Sequence, residues 1–186
     1  SEPIAYNGPS FRLPNNTVPL HYDIRLKTDI ESGNFLFTGT TRIYIKAVET
    51  SNTITLHSRL LAVYQVTLFR PDGSVYLADP FFSVDSQLEF LTITTVAQLQ
   101  PDEELIVQVV YGAVLNTESF GFYRSSYVDS RTNSTHWIAT TNFQPIFARR
   151  AFPCYDEPSY RTSFQLRILH NRSYKALSNM PVLGIG

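Results

Sequence analysis

Alternation of apolar and polar residues is the feature that most limits what this chain can fold into. Across 20–26, Leu20, Tyr22, Ile24 and Leu26 alternate with His21, Asp23 and Arg25, a period of two that turns one set toward a packed face and the other toward water. Thr41, Ile43, Ile45 and Ala47 alternate with Arg42, Tyr44 and Lys46, and Phe164, Leu166 and Ile168 with Gln165 and Arg167. Half-buried strands of this kind belong to antiparallel sheets. Segments 63–69 and 74–78 flank Arg70-Pro71-Asp72-Gly73, where Pro presets φ, Asp supplies a local acceptor and Gly takes a left-handed position, so this stretch reads as a hairpin. Segments 87–95 and 104–111 read as a further strand pair across the turn Leu99-Gln100-Pro101-Asp102. No helical period outlasts one or two turns, and the expectation is an all-β fold, a sandwich or open barrel of antiparallel strands.

The 186 residues fit one domain and suffice for a core without staples. With no repeat or composition shift, the boundaries read as an N-terminal linker over 1–10, a β domain over 11–181 and a link to further chain over 182–186. A formal net charge of −1 without runs of like charge excludes nucleic acid and an anionic membrane surface as partners. No apolar run approaches the ~20 residues that cross a bilayer, and SEPIAYNGPS lacks the regions of a signal peptide, so any membrane attachment is expected outside these residues. His21, His57, His136 and His170 stand singly, without the paired spacing that begins a zinc site, and no metal is expected. The single Cys154 cannot form an internal disulfide, and a free thiol is more typical of reducing compartments, whereas Asn15-Asn16-Thr17, Asn133-Ser134-Thr135 and Asn171-Arg172-Ser173, acceptor sequons for glycosylation at Asn15, Asn133 and Asn171, point to a secretory route.

The segment WIATTNFQPIFARRAFPCYDEP over 137–158, with GFYRSSY upstream and ALSNMP downstream, is too irregular in its mixture of aromatic, basic and acidic groups for a plain strand. Together with LPNNTVPLHYDIRLKTD, FLFTGTTRIYIKA and ITLHS, it resembles the N-terminal domain of membrane aminopeptidase N, a zinc exopeptidase family, in the form carried by insect gut enzymes. The resemblance implies a saddle-shaped β domain beside a separate catalytic domain. The catalytic signatures are absent: there is no His-Glu-x-x-His, which would bring two imidazoles and a water-activating carboxylate together, and no Gly-x-Met-Glu-Asn, since the one methionine is Met180. The chain alone is expected to be inactive and to hold no cofactor, with zinc in the parent's catalytic domain.

In such a family a loop of this domain reaches the neighbouring cleft and meets the amino terminus of a peptide substrate. Gln144 stands where members carry Gln or Glu, and its amide oxygen suits an ammonium donor. Asn142 stands where Gln is usual, with a shorter side chain, and Phe143 is placed to wall the first-residue pocket or anchor the loop. Arg149, Arg150, Asp156 and Glu157 have no nucleophile beside them and read as loop support, an Arg fork clamping a carboxylate. Phe122, Tyr123, Tyr127, Trp137, Phe147, Phe152 and Tyr155 read as core, or as surface covered by the catalytic domain. The resemblance also implies an ectodomain at the extracellular face of the plasma membrane, often lipid-anchored through other parts of the protein, with Cys154 buried and inert. Its partners are its own catalytic domain and peptide substrates. The alternative is a receptor or antigen module bound by insecticidal toxins, pathogens or antibodies, an exposed edge strand recruiting the ligand.

Overall fold

In a computed structural model, residues 11–184 are described; the 1–10 linker and residues 185 and 186 of the expected C-terminal link lie outside them. Among the described residues the regular elements are strands, with two short 3₁₀ turns, Ile30–Ser32 and Ala148–Arg150. The strands are β1 (Thr17–Thr28), β2 (Leu36–Ala47), β3 (Ser51–His57), β4 (Ala62–Phe69), β5 (Val75–Ala78), β6 (Phe82–Asp85), β7 (Phe90–Leu99), β8 (Glu104–Val114), β9 (Gly121–Asp129), β10 (Ser134–Asn142) and β11 (Ser163–Leu169). They form a six-stranded sheet in the order β11-β1-β2-β8-β4-β5, a three-stranded sheet β3-β7-β6 and the hairpin β9–β10. The fold is all-β, and none of the sheets closes into a barrel.

The alternation read from sequence is the alternation of burial. Tyr22, Ile24 and Leu26 on β1 and Ile43 and Ile45 on β2 are buried, while the residues between them face outward. Leu20 departs from this, at 42% exposed, because the pairing of β1 with β2 shifts register between Pro19 and His21; such a bulge frees one residue from the face that its neighbours share. Ile54, Leu56, Leu91 and Ile93 of the small sheet join Ile43, Leu68 and Val107 of the large one in a single apolar cluster, which Phe122, Phe152 and Tyr155 complete.

Two pairings differ from the sequence expectation. The hairpin β4–β5 forms across Arg70–Ser74, but β7 and β8 do not pair. β7 lies between β3 and β6, and β8 lies between β2 and β4. The turn joining them is tied to the end of β2, with Ala47 N donating to Glu103 O at 2.8 Å and Asp102 N to Ala47 O at 2.9 Å. That anchors the start of β8 on the large sheet and carries the chain from one sheet to the other. The second difference is β11, whose alternation suggests an antiparallel strand but which runs parallel to β1, Tyr22 opposite Phe164 and Ile24 opposite Leu166. A parallel partner needs a long return path; the chain between β1 and β11 runs over 29–162, and its last stretch, 143–162, leads from the hairpin to the open edge of β1.

Tyr111 on β8 is fully buried, and its hydroxyl hydrogen-bonds the Thr41 hydroxyl at 3.0 Å. Its ring occupies the space beside Gly39, across the ladder on β2, so that a Cβ on Gly39 would overlap the ring. With the phenol fixed at its far end, the ring has nowhere to swing. Gly39→Ala is therefore expected to cost about 1–3 kcal/mol, the scale of overpacking in a filled core, read as a lower urea midpoint of the chain at unchanged m-value.

Candidate functional site

The residues marked by the sequence lie on one return path. β10 ends at Asn142, the 3₁₀ turn Ala148–Arg150 follows, and the chain crosses the core through Phe152, Cys154 and Tyr155, all buried. Asn142 pairs with Gly121, and its Nδ2 donates to Ser119 O at 3.1 Å. Gly121 has φ of +73° and approaches Arg150 so closely that a Cβ would come within 2.5 Å of the Arg150 Cβ. A left-handed backbone and a close contact together require glycine there. Phe147 N donates to Phe143 O at 2.9 Å and closes the loop on itself.

Within that loop the three candidates have different surroundings. Phe143 is half-buried and meets Phe152 edge to face at 5.7 Å, so it anchors the loop to the core. Asn142 is exposed but its amide nitrogen is engaged. Gln144 is exposed, its side chain makes no hydrogen bond among the described residues, and a cis peptide joins it to Pro145. Pro145 borders a cavity of about 220 Å³, whose walls include Tyr22, Phe152, Tyr155, Tyr160 and Phe164.

Behind the loop, Arg149 is the organising cation. Its Nε donates to Asp156 Oδ2 at 2.9 Å and its Nη2 to the Asp156 carbonyl at 3.2 Å, while its Nη1 reaches Glu89 Oε2 at 3.0 Å. Glu89 also receives Arg59 at 2.7 Å. The guanidinium thus divides its donors between two carboxylates, rather than forking onto one. The other charged candidates are separate from this group. Arg150 pairs with the exposed Glu118 at 2.7 Å and lies over the Phe147 ring; this hydrogen bond holds Glu118 below the usual carboxylate range. Glu157 Oε1 accepts the Leu13 N–H at 2.7 Å. Both carboxylates of the 156–157 pair therefore serve as acceptors for protein donors.

Cys154 lies among these groups, fully enclosed, and burial pushes its thiol well up, so it stays protonated and unreactive. Of the aromatic set, Phe122, Phe152 and Tyr155 are buried, Tyr123, Trp137 and Phe147 are half-buried, and Tyr127 is exposed and stacked on His136. Three partners escaped the sequence reading: Glu89, Arg59 and His57. His57 is fully buried, and its Nδ1 accepts the Asp156 N–H at 3.2 Å. Nothing local distinguishes these positions, since Glu89 meets Arg149 across 60 residues, His57 meets Asp156 across 99, and the Arg59 side chain joins through Glu89. Among the described residues no three His, Cys, Asp or Glu side chains gather to hold a metal ion. These residues do not make up a zinc donor set.

Arg149→Met is expected to lower stability by about 3 kcal/mol, the scale of a buried pair broken on one side, because Asp156 stays enclosed without its cation while Glu89 keeps only Arg59. Arg150→Met should cost far less, since water solvates the Glu118 left behind; urea midpoints of the two variants of this chain make the comparison.

Sequence comparison places this geometry among known proteins. Residues 18–184 match the family described as the Peptidase M1 N-terminal domain. The chain is 35% identical over 173 residues to the human thyrotropin-releasing hormone-degrading ectoenzyme, covering 92% of this chain and 16% of that protein. It is 34% identical to pig glutamyl aminopeptidase over 186 residues, 98% of this chain and 19% of that protein. It is 35% identical to the membrane alanyl aminopeptidase of Manduca sexta over 188 residues, 94% and 19%. The chain thus spans less than a fifth of the length of these relatives. With an open all-β fold and a match over nearly its whole length, this chain belongs to the Peptidase M1 N-terminal domain family.

Proposed function

We propose that this chain is the non-catalytic N-terminal domain of a zinc aminopeptidase, and that its Gln144 accepts a hydrogen bond from the free amino terminus of a peptide in a cleft completed by the catalytic domain. The observation that carries this reading is the position of Gln144. Unbonded among the described residues, its side chain sits on a loop braced by Phe143 and, on the 3₁₀ turn, by Arg149, and the adjoining Pro145 shares a cavity with Phe164 of β11. Phe164 and Leu166 continue the buried row of Tyr22 and Ile24 yet are 57% and 46% exposed. An apolar row left open at a sheet edge suits a covering domain, and the loop would then lie beside that junction. Asn142, held by Ser119, orients the loop, and the peptide meets Gln144. Zinc and its water-activating carboxylate belong to the catalytic domain.

The relatives' names, an ectoenzyme and membrane aminopeptidases, support a place at the extracellular face of the plasma membrane. Among the described residues no helix is long and apolar enough to cross a membrane, and the anchor is assigned to other parts of the protein. Asn15, Asn133 and Asn171 are all exposed. Passed through a secretory host, the chain is expected to carry glycans that N-glycosidase removes, each Asn→Gln change lowering the mass by one glycan; an unmodified mass would oppose an ectodomain.

The kinetic test uses the full-length parent and its Gln144→Ala variant. A loss of about 1–3 kcal/mol in kcat/KM, the scale of a hydrogen bond to a charged group, is expected on free-amine substrates alone. Equal kinetics in the two enzymes would remove the loop from the active site.

A further inference from the structure

His57 makes four contacts that no surface role explains. Its main chain bridges Cys154 in both directions, His57 N to Cys154 O at 2.8 Å and Cys154 N to His57 O at 3.1 Å. Its ring accepts the Asp156 N–H through Nδ1 at 3.2 Å, and its Nε2 lies 3.3 Å from Phe11 O. A carbonyl oxygen can only accept and an amide N–H can only donate. The pair of contacts therefore fits one form of the ring alone: neutral, with the proton on Nε2. In the imidazolium both nitrogens carry protons, and Nδ1–H would confront the Asp156 N–H.

We infer that His57 is an acid-released latch: while neutral it fastens β3 to the Cys154–Asp156 stretch and to Phe11, and on taking a proton it lets that stretch go. The charges around it set the balance. Arg149, on the 3₁₀ turn, opposes a second positive charge, and burial opposes it more strongly. Asp156 and Glu157, on the crossing segment, favour it, but their carboxylates are engaged by Arg149 and by the Leu13 N–H. Glu89, just before β7, is likewise committed to Arg149 and Arg59. Phe90 offers only a ring edge at 5.3 Å, Cys154 is a neutral thiol, and Arg12 follows Phe11. Burial and Arg149 thus hold the imidazole below its ordinary range. The sign follows: the unfolded chain takes up this proton at about pH 6.5 while the folded chain resists, so the stability the latch provides is complete above that pH. It is lost as pH falls through the depressed value, the folding constant dropping by at most about tenfold per pH unit. What loosens first is the segment that pairs with Arg149 and packs Phe152 against Phe143, hence the base of the Gln144 loop, although the latch itself stands without any reading of the substrate.

The test follows the imidazole nitrogens of this chain by NMR together with exchange of the Asp156 amide, corrected for intrinsic rates, from about pH 7.5 to about pH 4.5. Nδ1 should appear as an unprotonated acceptor at the upper end, and its protonation should coincide with a rise of about tenfold or more in Asp156 exchange. His57→Gln, which keeps an acceptor but cannot titrate, should lose the acid-dependent rise. Protonation without faster exchange, an imidazole neutral throughout, or the same rise in the Gln variant would overturn the latch. If that variant does not fold, the coincidence in the unaltered chain decides.

Discussion

A guanidinium enclosed as Arg149 is must be met by carboxylates, because a bare charge away from water costs several kcal/mol. Meeting that demand draws together parts of the chain that share no strand. Glu89, at the entry to β7, and Asp156, on the crossing segment, both turn toward the same cation, and Arg59, following β3, closes the network through Glu89. The small sheet, the 3₁₀ turn and the path to β11 are thereby fixed against one another. The loop carrying Gln144 leads into this arrangement through the 3₁₀ turn and is tied to the core by Phe143.

The crossing segment has a second requirement, since it passes through the core without a regular ladder. Its polar groups are satisfied one at a time: Cys154 by His57 main chain, Asp156 N–H by the His57 ring, and Tyr155 N–H by the buried Tyr22 hydroxyl at 3.0 Å. The Tyr155 hydroxyl in turn meets Thr17 at 2.7 Å. Buried polar groups without partners are costly, and here side chains from β1 and β3 supply what a neighbouring strand would supply elsewhere. That explains why the segment is dense in unusual residues and reads as a signature. It also makes its order dependent on a titratable ring.

Much of the site was legible because it is consecutive. The stretch from Asn142 to Glu157 stands out by composition, and support for its loop by Arg149 and Asp156 could be suspected from seven residues of separation. The division of Arg149 between two carboxylates could not, because Glu89 lies 60 residues away in an ordinary turn. Likewise, grouping Arg150 and Glu157 with Arg149 follows from adjacency, whereas the structure gives them other partners, Glu118 and the Leu13 main chain. Neighbours in sequence shared a region here but not a network.

The same division runs through the fold. Period-two patterning by itself determined that the chain is all-β, which face of β1 and of β2 is buried, and where the hairpin β4–β5 turns, since each follows from side-chain alternation or local turn chemistry. Which strands lie side by side was decided only by the tertiary structure. An apolar strand face fits any partner with the right spacing, and the separation of β7 from β8 depends on a turn hydrogen-bonded to β2. The parallel docking of β11 depends on a crossing segment held by partners scattered from Leu13 to Glu89. Pairing between distant segments is a property of the closed core, where burial and polar satisfaction are settled together, and local sequence carries no record of it.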